Sequence, residues 1–249
     1  MTQSSDQNIW FGVAMFLLGL IVGAILSMTQ ARGISSLPTA QVPSPSQQVP
    51  SPQAPQKVDV TAEILGIATS IGLDEKKFSS CVQSTSFDDT IAKQLQSGMD
   101  AGVRGTPGTL IVSPKTKTAR FISGAQQFES FKKNIDEMLK NPLSKPTDSS
   151  VTLVEKFENV SAKDHIRGSM DAPIILVEYA DYECPFCHAV HPTLERVVTD
   201  YKGKVSWVVR HYPLSFHAKA KPYAVGAECA ASIGGSDAFW KYTDAVMGK

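Results

Sequence analysis

The chain has 249 residues, with 24 Lys and Arg against 24 Asp and Glu, so its formal net charge is zero. A neutral chain without a basic run lacks the electrostatic footprint of a nucleic-acid binder, and that class is set aside. Four cysteines are too few for a small disulfide-held scaffold, and the 42% hydrophobic average conceals three regions of different character.

After a short tail (residues 1–8), residues 9–28 (IWFGVAMFLLGLIVGAILSM) are uncharged and mostly apolar. Twenty residues at about 1.5 Å each span roughly 30 Å, the hydrocarbon thickness of a bilayer. No Lys or Arg precedes the run and Ser27-Met28-Thr29 is a poor cleavage site, so a retained single-span anchor is expected. Residues 29–57 read as an extended tether: positions 33–56 hold six prolines and no charge, and cannot bury enough apolar surface to fold. The remainder, about 190 residues, has the size of one domain.

Within it, 60–72, 74–83 and 87–102 read as helices, the last with Phe87, Ile91, Leu95 and Met99 along one face and Gly102 as its stop. Thr109–Val112 and Ala119–Ile122 flank Ser113-Pro114-Lys115-Thr116 and predict a β-hairpin. A closing helix follows at 126–140. Residues 141–156 read as a second linker, polar and with two prolines in its first ten residues. Pro173–Ala180 (PIILVEYA) predicts a buried strand. A helix is expected from Pro185, with Cys187, Val190, Leu194, Val197, Val198 and Tyr201 on one face and a kink at Pro192. Val205–Tyr212 predicts another strand, and 217–233 and 236–247 two more helices. Strands mixed with helices indicate an α/β or α+β class.

The chemistry sits at Cys184-Pro185-Phe186-Cys187, directly after a strand and opening a helix. A thiolate at a helix N-terminus faces unpaired N–H groups and the positive end of the dipole, so its pKa falls and it becomes a nucleophile and a good leaving group. Pro185 at the first helical position preorganises the turn. Cys184 is expected to be the exposed attacking thiol, and Cys187, one turn inward, the resolving one. Three other readings stay open: covalent c-type haem on Cys184-Pro-Phe-Cys187-His188, zinc on Cys184, Cys187, His188 and His191, and an inert disulfide. Zinc is disfavoured because Cys184 and His191 lie about 10 Å apart along one helix. The haem and inert readings would make the protein an electron carrier or a redox-inactive binding module.

The stretch DHIRGSMDAPIILVEYADYECPFCHAVHPTL (164–194), continued by KVSWVVRHYPLSFH, resembles the N-terminal half of DsbA-like thiol–disulfide oxidoreductases of the thioredoxin fold. GVRGTPGTLIV (102–112) and FISGAQQFESFKKNID (121–136) resemble that family's C-terminal half. The resemblance implies a thioredoxin-like α/β fold with an inserted helical subdomain. It implies that Pro107, after Thr106, is the cis-proline beside the CxxC pair, with Thr106 backbone groups holding an extended substrate. It implies that Glu178 is the acidic residue beneath the active site, suited to proton transfer if buried. His188 reads as a surface helix residue; His165, His191, His211 and His217 receive no role.

The halves stand in reversed order, 58–140 before 157–249, which reads as a circular permutation bridged by residues 141–172. Cys81 and Cys229 fall in the helical pieces that meet at the break and are expected to form a second disulfide. The expected function is exchange of disulfides with protein substrates carrying thiols or disulfides, with a membrane or soluble redox partner that resets the pair. Oxidase is favoured over reductase or isomerase, and no cofactor or metal is required. One flanking charge, Arg32, leans weakly toward a cytoplasmic C-terminus. Disulfide chemistry instead points to a single-pass protein of the cell membrane with its catalytic domain extracytoplasmic, in the periplasm or outside the cell.

Overall fold

In this computed structural model, residues 60–248 are described. The anchor and tether expected at 9–28 and 29–57 lie outside them. No helix among the described residues is long and apolar enough to cross a membrane.

The chain opens with three helices, α1 (Thr61–Ser70), α2 (Glu75–Val82) and α3 (Asp88–Asp100), followed by the hairpin β1 (Gly108–Ser113) and β2 (Thr118–Ser123) and by α4 (Phe128–Lys140). Two short strands come next, β3 (Thr152–Val154) and β4 (Ile166–Arg167), then β5 (Ile174–Ala180), α5 (Pro185–Asp200), β6 (Val205–His211) and α6 (Ala220–Met247). The strands form one sheet in the order β3-β2-β1-β5-β6-β4. Only β5 and β6 run parallel, joined by α5; β1 lies antiparallel to β5 with Thr109 opposite Glu178. The pairing of β1 with β5 joins the two halves within one chain.

Strand alternation sorts the core. Ile174, Leu176 and Ala180 of β5 and Val205, Trp207 and Val209 of β6 face one apolar cluster, with α4, α5 and the α1–α2–α6 helices. Ile175, Val177, Tyr179 and Val208 face the other, under the end of α3. Helix α3 presents Ile91, Ser97 and Gly98 inward, and Met99, expected on its buried face, is exposed. The shift follows from contact: a Cβ at Gly98 would stand 2.7 Å from the Tyr179 ring, so this turn approaches the sheet as closely as glycine allows. Gly235, at φ +72°, breaks α6 where the sequence separates two helices. Helix α5 runs on through Pro192 to Asp200.

The polar stretch 141–156 is less free than a linker. It contributes β3 to the sheet edge, and two buried arginines hold the path from α4 to β5. Arg120 of β2 donates to the Ser144 carbonyl (3.0 Å) and Oγ (2.9 Å) and pairs with Glu137 at 2.6 Å. Arg210 of β6 donates to both Asp164 carboxylate oxygens (2.8 and 3.2 Å) and to the carbonyls of Glu158 and Asn159 (3.0 and 3.1 Å). Cys81 of α2 and Cys229 of α6 form a disulfide.

Candidate active site

Strand β5 delivers the chain to the site, and a tight turn starts α5. Cys184 is the residue before the first helical position, with extended backbone, and Pro185 follows at the first, so the ring costs no hydrogen bond. The Cys184 carbonyl accepts from the N–H groups of Cys187 (3.0 Å) and His188 (3.2 Å). Both cysteines are free thiols. The Thr106–Pro107 bond is cis, and this loop, from the other half of the sequence, covers the motif: Cys184 Sγ donates to the Thr106 carbonyl at 3.4 Å. Cys184 is therefore only 4% exposed, which corrects the expectation of an exposed thiol; its neighbour Phe186 is 63% exposed. Pro107 also fixes the far side of the loop, its carbonyl accepting from Gly124 N at 2.9 Å.

The two thiols are electrostatically unequal. The Cys187 thiol foremost, then Thr106 and the N–H groups of Cys187 and Phe186, outweigh burial and hold Cys184 down at about 5. Burial pushes Cys187 far up, reinforced by Cys184 and by Glu178. Cys184 therefore ionises first, giving up its donation to the Thr106 carbonyl, while Cys187 stays a thiol.

Glu178 lies on the face of β5 that meets Trp207 and α5, fully buried. Burial raises its carboxyl to about 8, against one hydrogen bond from the Trp207 indole (3.2 Å). Its second oxygen has no partner among the described residues. It is thus a half-satisfied acid whose charge acts on both sulfurs.

Four of the histidines set aside on sequence belong to carboxylate pairs. His165 and His211 both meet Glu228 (3.1 and 2.9 Å), His191 meets Asp244 (2.9 Å) and His217 meets Asp181 (2.9 Å). His188, half-buried rather than on open surface, meets the Tyr182 carbonyl at 2.8 Å. Asp181 is the residue sequence reasoning missed: buried, three positions before Cys184, it gathers the loop around the motif. Its only sequence signal is an acidic residue between an apolar strand and the first cysteine.

The other chemistries fit this geometry poorly. Covalent haem attachment would need both sulfurs accessible, and Cys187 is completely buried. No cluster of metal-ligating residues with suitable geometry occurs among the described residues.

Two family models match the chain: a thioredoxin model over residues 160–249 and a DSBA-like thioredoxin domain model over residues 53–136. Curated relatives include Na+/H+ antiporter NhaA 1 of Salinispora arenicola, 40% identical over 86 residues, 34% of this chain and 13% of that protein. NhaA 3 of Salinispora tropica is 42% identical, with the same shares. Among solved structures, DsbA2 of Pseudomonas aeruginosa is 38% identical with a TM-score of 0.34, over 37% of this chain and 50% of that one. The chain therefore spans a small part of the antiporters and half of DsbA2. The two family models fall on the two stretches that share one sheet around Cys184 and Cys187, and they support a DsbA-like thioredoxin-fold protein.

Proposed function

We propose that this protein is a thiol–disulfide oxidase for protein substrates, working through Cys184 and Cys187. The observation that carries this is the inequality of the two sulfurs: a Cys184 thiolate held near 5 stabilises the reduced form, and so makes the disulfide form oxidising. A substrate thiolate attacks Cys184 Sγ of the Cys184–Cys187 disulfide. The S–S bond breaks, a mixed disulfide forms, and Cys187 leaves as a thiolate that takes a proton through Glu178. A second substrate thiolate attacks the substrate sulfur of the mixed disulfide and releases Cys184 as the stable thiolate. The substrate has lost two electrons and gained a disulfide; the enzyme dithiol passes those electrons to a redox partner. Thr106 and Pro107 border Cys184 where an extended substrate backbone would lie, and exposed Phe186 flanks it.

Residues 9–28 anchor the protein in the cell membrane, 29–57 tether it, and the catalytic domain is extracytoplasmic, where disulfides persist. The domain is a circular permutation. Family matches on two separate stretches, 53–136 and 160–249, support two pieces of one domain, and the intrachain pairing of β1 with β5 and a bridge fastened by Arg120 and Arg210 support their closure within one chain. Ion exchange, the activity in the antiporters' name, is not proposed for this chain.

Equilibration of the full-length protein with glutathione redox buffers tests the reading. We expect a dithiol couple more oxidising than glutathione, abolished by Cys184→Ser, and accumulation of mixed disulfides with Cys187→Ser. A couple more reducing than glutathione would overturn the oxidase direction. Full activity of Cys184→Ser would overturn the mechanism. Activity per chain that falls on dilution would indicate halves exchanged between chains.

A further inference from the structure

Asp181 touches both cysteines through its backbone. Its N–H donates to Cys187 Sγ at 3.5 Å, and its carbonyl accepts from Cys184 N at 3.1 Å. Its buried carboxylate reaches in the other direction. Oδ1 accepts from Glu183 N (2.7 Å); Oδ2 accepts from Leu214 N (2.8 Å) and from His217 Nδ1 (2.9 Å). One side chain thus ties the CxxC turn to the loop between β6 and α6 and ends on an imidazole. His217 stands at the rim, its side chain 19% exposed, with the exposed Phe216 ring edge-on at 4.6 Å.

We propose that His217, paired with Asp181, is a positioning residue for Cys184: the pair fixes the CxxC turn and sets the charge that the turn presents to the Cys184 sulfur. This deepens the redox reading above and rests on it. The charged groups facing His217 are Asp181 and Glu183 of the β5–α5 loop and Cys184 at the start of α5. Lys219, two residues on, directs its ammonium to Glu63 of α1 at 3.0 Å. Cys184 is faced by Cys187, Thr106 and Glu178. Burial works against the charge on His217, but Asp181 outweighs it, with Glu183 and the Cys184 thiolate adding, and the imidazole pKa is raised. Linkage makes the effect reciprocal: whatever the thiolate does for the imidazolium, the imidazolium does for the thiolate.

The test is a titration in the full-length protein in detergent. The His217 midpoint is read by NMR in three forms: reduced wild type, Cys184–Cys187 disulfide, and Cys184→Ser. The Cys184 midpoint is read by ultraviolet thiolate absorbance in wild type, His217→Gln and His217→Lys. We expect the His217 midpoint to be about half to one unit higher in reduced wild type than in the two forms without a thiolate. We expect His217→Gln to raise the Cys184 midpoint by a similar amount, about 3–10-fold less thiolate below it, and His217→Lys to restore part. A His217 midpoint identical in all three forms would overturn the proposal, even if His217→Gln failed to fold. So would an unmoved Cys184 midpoint in a folded His217→Gln protein, the result for a purely structural pair. A wild type whose two titrations are linked but which exchanges no disulfide with glutathione would instead sink the redox reading and leave this linkage standing.

Discussion

The Trp207 indole donates to one oxygen of Glu178 at 3.2 Å and leaves the other oxygen without a partner among the described residues. A buried carboxyl with a single neutral donor is poorly compensated when ionised, and burial raises it to about 8. The folded state therefore holds a proton that the unfolded chain, near 4.5, has released. Between those values the native state binds more protons, so stability falls as pH rises. We expect unfolding free energy to drop by on the order of a few kcal/mol from pH 5 to 8, and Glu178→Gln to flatten that decline. Urea titrations across this range check it. The same ionisation should quench or shift Trp207 fluorescence with a midpoint near 8, a signal that Glu178→Gln removes.

Much of this site was legible before the fold was known, because its signals are local. The apolar run ending at Ala180, Pro185 at the helix start and the two-residue cysteine spacing all lie within a few positions. What escaped reading depends on distant partners. Cys184 is covered by Thr106, 78 residues away, so its burial left no trace near the motif. His211 and Glu228 are 17 apart, His191 and Asp244 53 apart, and each residue alone reads as a surface charge. Strand β3 has three residues, two of them exposed, and is made by the edge of β2 rather than by its own composition. Met99 fits the helical period, yet the Tyr179 and Tyr212 rings that crowd Gly98 set the face of α3.

The Cys81–Cys229 bond links α2 to α6 across 148 positions. In the loop-entropy account such a closure contributes about 5 kcal/mol by restricting the unfolded chain. We expect Cys81→Ala with Cys229→Ala to lower unfolding free energy by roughly 3–5 kcal/mol while the Cys184–Cys187 couple still exchanges with glutathione. Loss of the couple in a folded double variant would show that the second disulfide shapes the active site. Intact mass after alkylation without reduction checks the bond: two labels at Cys81 and Cys229 would contradict it.

Arg210 and Asp164 form a pair whose side chains are 2% and 7% exposed. Removing one partner leaves a buried charge alone, a change that costs about 3–5 kcal/mol. We expect Arg210→Met to destabilise by that order and to open the bridge between the halves to protease near Glu158 and Asn159, whose carbonyls also lose their donor. Limited proteolysis with cleavage sites mapped by mass spectrometry checks this. Because β1 pairs with β5 and Cys81 is bonded to Cys229 across the halves, a chain nicked between residues 145 and 150 should stay associated and active.

Glu228 has the opposite electrostatic situation to Glu178. Burial alone would raise it, but hydrogen bonds from His165 and His211 prevail and hold it near 2. Its folded pKa is depressed, so its contribution is complete above about 4.5 and is lost as pH falls toward 2. Glu228→Gln should leave the two imidazoles without their carboxylate and lower stability at pH 7 by on the order of a few kcal/mol. The difference from wild type should shrink steadily between pH 5 and 3, measured as urea midpoints. Because Glu178 weakens the fold on the alkaline side and Glu228 on the acid side, wild-type stability should peak near pH 5, within the range where both groups favour the folded state. The double variant Glu178→Gln with Glu228→Gln should show a broader, flatter maximum, and a sharp peak retained in that variant would assign the pH dependence to other groups.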